Sequence, residues 1–196
     1  MNTTGTTSQS LIKPDAARTL AGFLPVAVFS LLTGVGAQIA IPAVPVPFTL
    51  QTVFVLLSGA LLGARRGAAS QILYLGAGAL GAPVFAGFKG SFLHLLGPTG
   101  GYLLAFPVAA FLAGYLLNDL KVLHRLPVFL VSVLCMAIAM LVIFLAGITQ
   151  LNLVVFHNWQ ASLAAGFVHL QIWDAVKILA AATIYSQMGR RNSRSN

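Results

Sequence analysis

The stretch QIWDAVKILAA, residues 171–181, sets an aspartate and a lysine three positions apart at the head of an apolar run. The chain has only three acidic residues, Asp15, Asp119 and Asp174, and no glutamate. At i,i+3 spacing Asp174 and Lys177 share one helix face. Two readings fit them. As a structural pair, Asp174 complements the helix dipole in the first turn and Lys177 snorkels toward lipid headgroups. As a polar ligand site, both turn inward, because a charge facing lipid costs about 2.5–3.5 kcal/mol at the membrane centre. Lys177 lies about a turn deeper than Asp174, and no basic neighbour marks an ordinary interfacial cluster. The ligand reading is favoured.

Other residues offer chemistry with less specificity. Gln51, in FTLQTVF, opens a helix with an amide that donates and accepts, suited to helix–helix contact or to a neutral polar ligand. In GPTGGYLLAF, Thr99 is the expected N-cap, and Tyr102 supplies a ring with a hydroxyl; an aromatic-belt tyrosine on a Gly-rich turn is the alternative. Trp159 and Trp173 read as belt residues, with Trp173 also drawn toward a pocket by its neighbour Asp174. His94, His157 and His169 with Asp174 are of the right types for a divalent metal. None of the histidine pairs has the i,i+4 or HExxH form, so no metal site is expected. No GK[ST] follows the glycines, no nucleophile elbow occurs, and no glutamate can act as acid or base, so the chain is not expected to be an enzyme. Cys135, without a partner in VSVLCMAIAM, reads as a small buried hydrophobe. Arg65 and Arg66 in GALLGARRGAAS anchor topology or dock a cytoplasmic partner.

The elements that must hold these residues are set by composition. Of 196 residues, 58% are hydrophobic and 7% charged, against about a quarter charged in a soluble domain. The expectation is an all-α integral membrane protein. A net charge of +8 without a basic stripe excludes nucleic acid. Apolar runs predict six helices near 18–40, 49–64, 67–82, 99–118, 127–148 and 173–189, the second and third joined by ARRG. With the N-terminus inside, nine of the eleven basic residues fall on the inner side: Lys13, Arg18, Arg65, Arg66, Lys121, Arg125, Arg190, Arg191 and Arg194. Only Lys89 falls outside, and Lys177 lies within the last span. That asymmetry predicts six spans with both termini cytoplasmic in the cell membrane. Residues 1–15 form a disordered tail, 16–189 one membrane domain and 190–196 a basic tail. The outer loops 41–48, 81–102 and 148–173 carry Pro, Gly and apolar residues but almost no charge, and are expected to fold over the bundle as a lid on a pocket, the last with a short helical piece.

VPFTLQTVFVLLSGALLGARRGAASQILYLGAGALGAPVFAG and LLGPTGGYLLAFPVAAFLAG resemble the BioY family, biotin-uptake proteins that serve as substrate-binding (S) components of energy-coupling-factor transporters. The resemblance covers about residues 20–185. The family's last helix opens Pro-Gly-Asp-x-x-Lys; here Asp174 and Lys177 match, while Ile172 and Trp173 replace the proline and glycine, and His169 stands where proline is common. The resemblance implies an S-component-like bundle that binds biotin from outside beneath its outer loops. It assigns Asp174 and Lys177 to the ureido head, through charge-assisted hydrogen bonds. Phe85, Tyr102 and Trp173 pack the bicyclic ring, and Lys89 meets the valerate carboxylate; the swapped assignment puts Lys177 there. Gln51 stands beside them. It further implies a transmembrane coupling subunit and two cytoplasmic ATPases, with Ser30 and Gly34 offering a close-packing face and Arg65 and Arg66 a second contact. No cofactor is implied beyond the ligand. An S component for another small vitamin, and a divalent-metal transporter using the outer histidines, are the competing readings.

Overall fold

The computed structural model describes residues 14–43, 45–119, 127–169 and 172–194, without the side chains of 14–20, 119, 167–169, 172 and 189–194. The tail 1–13, Lys121, His124 and Arg125 therefore lie outside the described residues, as do the side chains of Asp15, Arg18, Asp119, His169, Ile172, Arg190, Arg191 and Arg194.

The first helix, α1, runs Pro14–Gln38 and takes in the end of the expected tail. Strands β1 (Ala40–Ile41) and β2 (Phe48–Thr49) pair antiparallel, Ala40 with Thr49 and Ile41 with Phe48, and close the proline-rich loop into a hairpin. Helices α2 (Gln51–Leu62) and α3 (Ala64–Ala79) follow. Their turn is the single residue Gly63, at φ +83°, rather than the expected ARRG. A glycine takes that left-handed conformation without a Cβ clash, while Ala64, Arg65 and Arg66 favour helix and form the first turn of α3.

The short helix α4 (Phe92–Leu96) is capped by Ser91, whose hydroxyl accepts from the Leu93 N–H. The expected helix over 99–118 is broken into α5 (Gly100–Leu104) and α6 (Phe106–Gly114), then a π-helical turn Tyr115–Asp119. The break falls where Pro107, lacking an N–H, cannot donate back to the preceding turn. Helix α7 (Val128–Leu151) runs on through a second π turn, Asn152–Phe156, to left-handed His157. Helix α8 (Trp159–His169) occupies the last outer loop, started by Asn158, whose Oδ1 accepts from the Gln160 and Ala161 N–H groups at 2.8 and 3.3 Å. Helix α9 (Ile172–Arg194) carries the charged pair.

The core is a close-packed knot of α2, α3 and α6. A Cβ on Gly59 would lie 2.0 Å from the Ala110 carbonyl oxygen, so only a glycine admits that approach. Polar side chains Thr33, Ser58, Ser70 and Gln71 are fully buried and join α1, α2 and α3 through bonds of 3.0–3.3 Å from the Gln71 amide. Such contacts substitute for hydrophobic association between helices in lipid. On α7, Val131, Cys135, Ala139 and Ile143 point inward while Leu130, Leu134, Ile138, Leu141 and Leu145 are exposed. A helix apolar on both faces belongs in lipid. Among the described residues, three helical stretches are long and apolar enough to cross a membrane, Ala21–Gln38, Gly100–Asn118 and Val128–Phe156, and Gln51–Leu62 is a shorter apolar helix.

Candidate ligand site

At the head of α9, Lys177 Nζ donates to Asp174 Oδ1 at 2.8 Å, and the two residues are only 8% and 6% exposed. They form part of the wall of a cavity of about 660 Å³. Its other walls come from the 40–49 hairpin with its prolines, the start of α2, the 86–89 loop, His94, α5, Phe106 of α6, and Met140, Ile143 and Phe144 of α7. The lining is mostly apolar with a few convergent polar groups, the makeup of a small-molecule site.

Of the residues singled out from the sequence, the fold brings Gln51, Lys89, Tyr102, Asp174 and Lys177 to this one cavity. Gln51 is 3% exposed, and its Oε1 accepts from the Tyr74 hydroxyl at 3.3 Å, which ties the site to α3. Lys89 is placed by backbone bonds with Phe85 in both directions, at 2.8 and 3.3 Å. The loop that carries them is anchored by Gln38, whose amide donates to the Phe85 carbonyl and accepts from the Phe88 N–H. Tyr102 stands edge-on to Phe144, with ring centroids 6.3 Å apart.

Phe85 and Trp173 are not in the lining. Phe85 is wholly buried one layer behind, stacked on His94 at 5.3 Å and edge-on to Tyr74 at 5.6 Å. Trp173 is exposed on α9, ahead of the buried Asp174 and Lys177. Ser30 and Gly34 are turned into the bundle, Gly34 facing Val84 and Tyr74, so that α1 shows Phe23, Leu24, Leu31 and Val35 outward instead. Arg65 and Arg66 are exposed at the N-terminus of α3, where the helix dipole disfavours cations. Among the described residues no three metal-ligating side chains come together.

Sequence reasoning passed over Thr52 and gave His94 only a metal role. Both line the cavity. His94 Nε2 lies 3.2 Å from the Thr99 hydroxyl, which makes no cap bond to α5. Thr99 thus holds the imidazole instead of capping the helix. Burial, and then the nearby Lys89 ammonium, push the His94 pKa below its ordinary 6.5, favouring the neutral ring. The hydroxyls of Thr52 and Tyr102 are buried without a hydrogen-bond partner among the described residues.

Against known proteins, the profile of the BioY family matches residues 7–194. A biotin transporter BioY of Thermotoga maritima is 42% identical over 158 residues, 80% of this chain and 89% of that one. A probable biotin transporter BioY of Pyrococcus horikoshii is 57% identical over 89 residues, 45% of this chain and 55% of the relative. The crystal structure of the S-component for biotin from an ECF-type ABC transporter superposes with a TM-score of 0.79 at 24% identity, covering 89% of this chain and 93% of that one, which establishes the shared fold.

Proposed function

The chain belongs to the BioY family of membrane proteins, and on that premise we propose that it is the biotin-binding substrate component of an energy-coupling-factor transporter. Binding and uptake, not catalysis, are its work. The observation that carries this reading is the buried Asp174–Lys177 pair in the wall of a cavity of about 660 Å³. A volume within the roughly 300–1,000 Å³ range of small-molecule pockets suits a vitamin and far exceeds what a metal ion needs. A carboxylate accepts a ureido N–H while an ammonium donates to the ureido carbonyl, and both bonds are charge-assisted in a dry site. Lys89, the second lysine that lines the cavity, meets the valerate carboxylate. Apolar groups of Phe106, Met140, Ile143 and Phe144 receive the bicyclic ring and chain.

The protein spans the cytoplasmic membrane six times with both termini inside, the arrangement supported by the distribution of its basic residues. Uphill transport requires a transmembrane coupling subunit and two ATPases, engaged through the exposed Arg65 and Arg66. Ser30 and Gly34 act from within, setting how closely α1 packs. Mass spectrometry of small molecules released from the purified protein tests the proposal. Biotin is expected; recovery of a different vitamin or of a stoichiometric divalent metal would refute it.

A further inference from the structure

The segment 84–89 lends the cavity Ala86, Gly87 and Lys89, and its two limbs are held very differently. The near limb is fixed by burial: the Phe85 ring is wholly buried, and the Tyr74 hydroxyl donates to the Val84 carbonyl at 3.2 Å. The far limb, Gly87 to Lys89, is exposed. It turns through two successive left-handed residues, Gly87 at φ +72° and Phe88 at φ +56°. Glycine tolerates that conformation, but a bulky phenylalanine adopts it only where its surroundings impose it. The Phe88 ring, 72% exposed, has little packing with which to do so. Its N–H instead donates to Gln38 Oε1 at 3.0 Å, the one side-chain bond to this limb among the described residues. The nitrogen of the same amide donates across the turn to the Phe85 carbonyl at 3.1 Å. Gln38 is the last residue of α1, so a helix end clasps both limbs.

Resting on the biotin reading, we propose that Gln38 is a positioning residue for ligand binding: its amide latches Phe88 in the left-handed form and so holds Lys89 in the cavity lining to meet the ligand's carboxylate. Lys89 is the next residue after Phe88, and its backbone pairs with Phe85 only while the turn keeps this course. Relaxing Phe88 to a negative φ swings the peptide that follows and re-aims the ammonium. Among the described residues Asp174 pairs with Lys177 and no carboxylate pairs with Lys89, which leaves its charge to an anionic group from outside the chain. An ammonium on a long flexible stem at an exposed turn has many positions open to it. Fixing its backbone beforehand lowers the ordering cost of binding.

The test compares biotin with its uncharged carboxamide, by calorimetry, on the wild type, Gln38→Ala, Lys89→Met and their double variant. Gln38→Ala and Lys89→Met should each bind biotin at least about fivefold more weakly. Binding of the carboxamide, which has no charge to offer Lys89, should stay within about twofold of wild type in both. The double variant should lose no more than about twofold beyond the weaker single, because the amide acts through the lysine. Phe88→Gly added to Gln38→Ala should restore most of the lost biotin affinity, since glycine takes the left-handed turn without a latch. Unchanged biotin affinity in Gln38→Ala or in Lys89→Met overturns the inference. So does an equal loss for biotin and the carboxamide, additivity in the double variant, or no rescue by Phe88→Gly; in each of these cases the biotin reading stands. A Gln38→Ala chain that fails to fold also overturns it, since the amide would then be structural. A wild-type protein that does not bind biotin overturns the underlying reading, and the inference with it.

Discussion

Substituting Lys177 by Met separates the two roles its charge can have. The ammonium and the Asp174 carboxylate are 2.8 Å apart in a wall where each residue is under a tenth exposed. With an effective dielectric near 20, their attraction is about 6 kcal/mol. Desolvation of the two ions offsets several kcal/mol each, so the pair contributes little net stability. Lys177→Met leaves the carboxylate buried and uncompensated, which destabilises by about 3–5 kcal/mol. The double variant Asp174→Asn, Lys177→Met removes both charges and should recover near-wild-type stability. If the pair exists to hold a ligand, affinity will not recover with it: the double variant should still bind biotin at least about tenfold more weakly, or about 1.4 kcal/mol. Thermal unfolding in detergent follows the first quantity and titration calorimetry the second. A double variant with wild-type affinity would show that the pair is only structural.

Further consequences are as direct. His94 has its folded-state pKa lowered by burial and by Lys89, so the native state binds fewer protons than the unfolded one. Its contribution is complete above the ordinary 6.5 and is lost as pH falls below that toward the depressed value; the melting temperature should fall over that acidic window, and His94→Gln should remove the slope. Gly59→Ala forces a Cβ against the Ala110 carbonyl and should cost at least about 1–3 kcal/mol as overpacking, read as a lowered melting temperature. Replacing Arg65 and Arg66 together by Ala should leave biotin affinity unchanged while cutting uptake in vesicles with the coupling module by about tenfold or more, the loss typical of interface arginines.

What the sequence revealed about the site follows from what lipid penalises. Asp174, Lys177 and Gln51 were conspicuous because polar atoms are expensive in a membrane, and the fold does gather them with Lys89 and Tyr102. The apolar lining was invisible for the opposite reason. Met140, Ile143 and Phe144 sit on the same α7 stripe as the plain core residues Cys135, Met136 and Ala139, and nothing in their type separates wall from core. Thr52 is a small hydroxyl residue with nothing in its type to mark it as lining a cavity, and Thr99 turns to His94 instead of capping α5, a choice its local sequence does not show. The course of the loop at 80–90 depends on Gln38, more than forty residues earlier, so Phe85 could not be ordered behind His94 by local pattern. Helix existence was legible from apolar runs, but the joint at Gly63 was masked by the two arginines, which look like a loop and begin a helix. The break at Pro107 and the N-cap at Asn158 were readable signals that hydropathy alone passes over.

The most direct measurement of the central claim is equilibrium binding of radiolabelled biotin to the purified wild-type protein, challenged by an excess of each of the other water-soluble vitamins. Saturation at one biotin per chain, displaced by unlabelled biotin and by no other vitamin, is the result expected. Absence of saturable binding, or displacement by an unrelated vitamin at equal concentration, would contradict it.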